Sequence, residues 1–190
     1  MIKPRLSEIA NNYSLILCDI WGVVHNGNNI FPDALNTLLA YLDAGGDICL
    51  ITNAPRRSEI IRDYLLNMGV ERNICHNIVS SGDCSYSWLS SIGNRPLFHI
   101  GPEKDNSLFA GLDLKKVNEF ECLECICTGF FNEYIESIGD YQKILETLLE
   151  RGIVIHCANP DLYVNKGSIR LPCAGLIAQS YSQMGGEVVY

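Results

Sequence analysis

Two short apolar runs that each end abruptly in polar residues constrain this chain more than any other feature. Leu15, Ile16 and Leu17 lead to Asp19, and Ile48, Cys49, Leu50 and Ile51 lead to Thr52 and Asn53. Unbroken apolar runs of this length read as parallel strands buried on both faces. Between them Asp33 is placed to cap a helix whose Leu35, Leu38, Leu39 and Leu42 recur at i, i+3, i+4 and i+7, and Gly45-Gly46 ends it. These pieces form a βαβ unit, which puts the polar ends of both strands at one edge of a sheet. Pro55 suits the first turn of a further helix, with Ile60, Ile61, Tyr64, Leu65 and Met68 as its apolar stripe and Gly69 as its C-terminal cap. A third run, Ile78-Val79, ends at Ser80.

The pattern restarts near Ser81 with different spacing. Strands are expected at Leu97 to Ile100, Glu124 to Thr128 and Ile153 to His156, with helices at Asp140 to Arg151 and Pro172 to Met184. The fold class is therefore α/β, in two modules. No tandem repeat, low-complexity tract or flexible linker separates them, so the second module is expected to be inserted into the first or packed on it.

Composition narrows the partners. With 190 residues, 47% of them hydrophobic and 19% charged, the chain can bury a core, which excludes disorder, collagen and coiled coil. Fourteen basic against 22 acidic residues give a net charge of -8, and no basic run is present to meet nucleic-acid phosphates or an anionic membrane. A small-molecule partner is expected instead. The nine cysteines are odd in number, and Cys18, Cys49 and Cys157 lie inside apolar runs, so they read as reduced thiols of a cytoplasmic protein. The N-terminal stretch carries Lys3, Arg5 and Glu8 without an apolar core, and Asp19 interrupts the first apolar run, so neither a signal peptide nor a membrane span is expected.

In open parallel sheets, ligands bind outside the carboxyl ends of the strands. Here one tip carries Asp19, within Cys18-Asp19-Ile20-Trp21-Gly22-Val23, and its neighbour carries Thr52-Asn53-Ala54-Pro55. A carboxylate can attack phosphorus while a hydroxyl, backbone N–H groups and a helix N-terminus hold the phosphate oxygens. Either feature alone reads equally as turn chemistry. Their joint occurrence favours phosphoryl transfer.

The segment Leu15 to Val23 followed by Ile51-Thr52-Asn53 resembles the first two motifs of the haloacid dehalogenase superfamily. Ser80-Ser81-Gly82-Asp83, His99-Ile100-Gly101-Pro102, Cys127-Thr128-Gly129 and Ala158-Asn159-Pro160-Asp161 resemble its class IIA, NagD-like hydrolases, in order across nearly the whole chain. The resemblance implies a Rossmann-like core (1–80) with an inserted α/β cap of the C2 type (81–186), and residues 187–190 as the start of a return to the core. It implies Mg²⁺-dependent hydrolysis of a small phosphorylated metabolite. Asp19 would be the nucleophile and a Mg²⁺ ligand, with the backbone carbonyl of Trp21 as a second ligand. Thr52 and the backbone of Asn53 would bind phosphate. Asn159 and Asp161 would face the substrate from the cap, where a plain Asx-Pro turn is the alternative. Arg56 and Arg57 would help hold an anion, or form a solvated helical turn.

Two departures from the family pattern stand out. Most members carry Asp two residues after the nucleophile as acid/base. This chain has Trp21, whose indole donates a hydrogen bond but exchanges no proton near neutral pH. His25 on the same loop is the expected substitute, against the alternative of a surface-loop histidine. Second, the family's Lys and second acidic residue follow the cap, and the chain stops at Tyr190. A truncated, impaired hydrolase is therefore expected. The alternative is a catalytically weak or inactive derivative that binds a phospholigand or a protein, and association of two copies stays open. Cys122-x-x-Cys125-x-Cys127 lacks a matching second pair for zinc, and the four histidines show no metal-ligand spacing.

Overall fold

The structure, a computed structural model, describes residues 6–190, and Lys3 and Arg5 of the N-terminal reading lie outside the described residues. The chain divides into two compact units, one running through Thr52 and resuming at Ser58–Val79, the other made of Asn53–Arg57 and Ser80–Tyr190.

The first unit holds α1 (Leu6–Ile9), β1 (Leu15–Asp19), α2 (Pro32–Asp43), β2 (Asp47–Thr52), α3 (Ser58–Asn67) and β3 (Asn77–Ser80), whose last residue begins the second unit. Its sheet has the order β1-β2-β3. β1 and β2 are parallel, with Leu15 opposite Asp47 and Asp19 opposite Ile51. A strand order that advances in one direction through right-handed crossovers places both helices on the same face. Burial follows that rule and corrects the expectation of strands buried on both faces. Cys18, Ile48, Leu50 and Ile78 are buried, as are Leu35, Leu38 and Tyr41 of α2 and Ile61 and Leu65 of α3. The alternate side chains Leu15, Leu17, Ile51 and Val79 are exposed, Leu17 by 63%. Asp33 does not cap α2. Pro32 occupies its first turn, where a missing N–H costs nothing, and Asp33 sits inside that turn, favourable to the helix dipole. Nor does α3 begin at Pro55; it begins at Ser58, and residues 53–57 leave it for the second unit.

The second unit holds α4 (Ser81–Ile92), β4 (Leu97–Ile100), β5 (Glu124–Cys127), α5 (Gln142–Glu150), β6 (Ile155–Cys157), β7 (Tyr163–Lys166), β8 (Ile169–Pro172), α6 (Ala174–Gln183) and β9 (Val188–Val189), with 3₁₀ segments at Glu103–Phe109 and Ile138–Tyr141. β4, β5, β6 and β9 form a parallel sheet in that order. Successive side chains alternate between its faces. Phe98, Ile100, Cys125, Cys127, Ile155 and Cys157 pack with Tyr141, Leu145 and Leu148 and with Ala174, Ile177 and Tyr181 of α6. On the other face Leu97 and Ile126 pack with Leu89 of α4 and with Leu108 and Phe109. With both faces covered, these strands read as unbroken apolar runs. The buried tyrosine hydroxyls are used: Tyr181 donates to the Ile153 carbonyl at 2.5 Å, and Tyr141 to Glu136 at 2.6 Å.

Residues 187–190, expected to start a return to the core, lie in the second unit, with Ile155 paired to Val188 and His156 to Val189. The two valines supply a β-branched edge to the second sheet, which satisfies β6 on its open side. Pro172 ends β8 of the antiparallel β7–β8 hairpin and does not open α6, because it lies in register with Tyr163. Among the described residues, no helix is long and apolar enough to cross a membrane.

Candidate active site

Asp19 is the last residue of β1 and is exposed. Its Oδ1 accepts the N–H of Ile20 at 2.8 Å, which holds the carboxylate at the strand tip. Because Asp19 is in register with Ile51, Thr52 lies one residue further along the neighbouring strand, at the same sheet edge. The first unit thus brings together the two residues that the apolar runs pointed to.

The loop after Asp19 is tightly wound. The Ile20 carbonyl accepts N–H groups of Val23, Val24 and His25 at 3.4, 2.8 and 3.3 Å, and Val24 is fully buried. His25 is not a surface residue; only 3% of it is exposed. Its Nδ1 accepts the Gly27 N–H at 2.9 Å, and its ring meets the edges of Trp21 and Tyr64 at centroid distances of 5.1 and 5.5 Å. Burial lowers its pKa below the ordinary imidazole range, so the neutral form, with the proton on Nε2, holds the loop. Tyr64 donates from its hydroxyl to the Gly27 carbonyl at 3.2 Å. These contacts build His25 into the Asp19 loop and exclude the alternative of a surface-loop histidine.

In the second unit, the carboxyl ends of three parallel strands carry the polar residues. Asn53 donates from Nδ2 to Asp161 Oδ1 at 3.1 Å, and Asp161 donates its N–H to Asn159 Oδ1 at 3.0 Å, an Asx turn around Pro160. Arg56 Nε stands 3.5 Å from Asp105 Oδ1, and Arg57 lies over the Tyr86 ring at 4.2 Å. The two arginines therefore sit in a turn tied to the second unit, outside any helix. Asp105, Thr128 and Asn159 are all buried.

The polar chain behind Arg56 was missed in the sequence. Asp105 sits in a 3₁₀ segment with no regular pattern around it, and the glycine at one strand end, Gly101, is the signal of close packing there. Thr128 Oγ1 lies 2.8 Å from His99 Nε2 and also bonds the Asp105 carboxylate. A hydroxyl has one proton to give. With Asp105 ionised, Thr128 donates to it and accepts from His99 Nε2–H.

Burial, assisted by Lys116, pushes the His99 pKa down to about 4. Because the unfolded chain binds this proton first, the contribution of neutral His99 to stability is full above about pH 6.5 and is lost as pH falls toward 4, roughly 3 kcal/mol in all. Asp105, raised by burial against the pull of Arg56, changes stability in the opposite direction over the acid range. Comparison with His99→Gln, which keeps the donor to Thr128 and does not titrate, isolates the histidine. Urea unfolding at pH 7 and pH 4.5 is expected to show a smaller acid loss for the variant. Equal losses in both proteins would remove His99 as the source.

Asp19 and the Trp21 carbonyl are hard oxygen donors, the type Mg²⁺ takes alongside water and substrate phosphate. Among the described residues, no group of three or more His, Cys, Asp or Glu side chains is arranged to hold a metal ion. The donors thus fit Mg²⁺ in kind, as a site with few protein ligands. All nine cysteines are unpaired, and Cys122, Cys125 and Cys127 are buried.

These observations define an α/β protein in which a Rossmann-like parallel unit, with a carboxylate at a strand tip, is joined to a second parallel α/β unit. The chain belongs to the haloacid dehalogenase-like hydrolase family, whose model matches residues 16–115. A haloacid dehalogenase-like hydrolase from Brucella suis is 36% identical, with a TM-score of 0.93 over all of this chain and 72% of that one. Two less similar structures share the fold. A p-nitrophenyl phosphatase from Archaeoglobus fulgidus is 22% identical, with a TM-score of 0.71 over 93% of this chain and 68% of that one. A glycerol phosphate phosphatase from Mycobacterium tuberculosis, solved with magnesium, is 18% identical, with a TM-score of 0.67 over 95% of this chain and 55% of that one. A search of curated proteins gives no match.

Proposed function

We propose that this chain is a phosphohydrolase that cleaves a small phosphate monoester through an aspartyl-phosphate on Asp19. The observation that carries the reading is the exposed Asp19 tip in register with Ile51, which sets Thr52 at the same sheet edge. Membership of a hydrolase family and the phosphatase names of two structural neighbours support it.

In the first step Asp19 Oδ2 forms a bond to phosphorus as the ester P–O bond breaks, and the leaving alkoxide takes a proton from solvent water. In the second, water attacks the phosphorus, releasing inorganic phosphate and restoring the carboxylate. The Thr52 hydroxyl and the backbone of Asn53 are assigned to phosphoryl oxygens, and Asn159, Asp161 and Arg56 to substrate binding. Mg²⁺ held by Asp19 and the Trp21 carbonyl would supply charge neutralisation for the phosphoryl group. With a net charge of -8, the local positive field would come from the metal, the backbone amides and Arg56. We place the chain in the reducing cytoplasm, where its thiols stay unpaired.

Phosphate release from p-nitrophenyl phosphate is the direct test. The expected result is turnover in Mg²⁺ buffer, loss on chelation and recovery when Mg²⁺ is restored. No release from a panel of sugar, glycerol and aryl phosphates would sink the hydrolase reading. Trp21 at the acid/base position favours one second reading, a phospholigand-binding protein. It predicts no turnover together with retained binding of inorganic phosphate by calorimetry.

A further inference from the structure

The turn that follows Thr52 belongs to the second unit and is fastened to it at both ends. Asn53 is bonded by Asp161 at 3.1 Å, and Arg56 is paired with Asp105 at 3.5 Å. Between these points the Ala54 carbonyl accepts the Gly82 N–H at 3.1 Å. The backbone of α4 comes so close here that a Cβ on Gly82 would lie 2.2 Å from the Arg56 carbonyl, a contact only glycine permits. Asp105 is 3% exposed, and taking a carboxylate out of water is costly unless charge and hydrogen bonds compensate. Arg56 and Thr128 are the compensation. The Thr128 hydroxyl is in turn oriented by His99, and the space is filled: a Cβ on Gly101 would stand 2.0 Å from Thr128 Oγ1.

This chain of contacts has no exposed reacting group, yet it ends on the segment that carries Asn53. We propose that Asp105 is a positioning residue, which through Arg56 fixes the Asn53–Arg57 turn and so sets the affinity of the Asn53 backbone for a phosphoryl group. The proposal rests on the phosphohydrolase reading and assigns a task to a residue outside the chemistry. Groups that hold phosphoryl oxygens equally in substrate and transition state act on KM and leave kcat alone. Loosening the turn is therefore expected to appear in KM.

The test is steady-state kinetics on p-nitrophenyl phosphate with Mg²⁺, with melting followed by circular dichroism. Asp105→Asn is expected to raise KM about tenfold, the size of one lost charge-assisted bond, with kcat within about twofold. On an Arg56→Gln background the same substitution is expected to add nothing further, because Asp105 acts through Arg56. Unchanged KM in folded Asp105→Asn, a fall in kcat alone, or independent multiplying effects would overturn the proposal. Should Asp105→Asn not fold, Arg56→Lys keeps the charge but loses the planar fork, and KM is again expected to rise; an unchanged KM counts against the proposal. Absence of turnover in the wild-type chain would be a failure of the hydrolase reading instead. The positioning role is then read from hydrogen exchange at the Gly82 amide, expected about tenfold faster in Arg56→Lys, and unchanged protection overturns it.

Discussion

Asp19→Asn is expected to lower phosphate release by at least about 10⁴-fold, as loss of a covalent nucleophile does elsewhere. The amide is nearly the same shape as the carboxylate, and its oxygen can still accept the Ile20 N–H that holds the strand tip. What disappears is the negative charge that, on the proposed mechanism, would make the group a nucleophile toward phosphorus. Because Asp19 is exposed at the end of β1, the melting temperature should stay within a few degrees of wild type. Stopped assays over a long time course, with circular dichroism as the folding control, check both statements. Retention of more than about one tenth of the activity would remove Asp19 from the nucleophile's role.

The second large effect is a gain. Trp21→Asp is expected to raise turnover of alkyl phosphates by about 10²–10⁴-fold, the range a positioned general acid contributes. Position 21 lies two residues beyond Asp19, on the short bridge that runs beside His25. Indole cannot protonate a departing alkoxide, whereas a carboxylic acid can, and its conjugate base can then activate water. Substrates with good leaving groups need no such help, so the gain on p-nitrophenyl phosphate should be much smaller. Removing the ring also strips one side of the aromatic contact around His25, while the Tyr64 contact remains. Trp21→Asn serves as the control: it loses the same packing and brings no proton, so it should share any stability loss without the rate gain. Equal rates for the Asp and Asn variants on alkyl phosphates would show that position 21 has no acid/base task to fill.

Much of the architecture was legible because local chemistry and tertiary role coincided. Apolar runs ending at Asp19 and Thr52 mark parallel strands, and parallel strands align their tips wherever the helices go. The leucine stripe of α2 is a local property of helical spacing and survives in the structure as buried Leu35 and Leu38. The ends of elements were less legible. Pro55 suits a first helical turn by its ring geometry, yet the helix waits until Ser58, because residues 53–57 are engaged by Asp161, Asp105 and Gly82, up to 108 positions away in the chain. Val188-Val189 could pair with any open strand edge, and β6 offered one.

His25 shows the same division. Its residue type and place on the Asp19 loop suggested proton transfer, since its ordinary pKa lies near neutrality. The structure adds what residue type does not show, burial between two aromatic rings and a backbone bond to Nδ1. By itself the sequence determined the α/β class, the strand tips that carry Asp19 and Thr52, and the family motifs, because these depend on residue type and short-range periodicity. Only the tertiary structure decided that one face of the first sheet is open, that His25 is buried, and that Asp105, Thr128 and His99 line up behind Arg56. Those outcomes depend on which distant side chains exclude water from a given polar group, and chain spacing does not encode that.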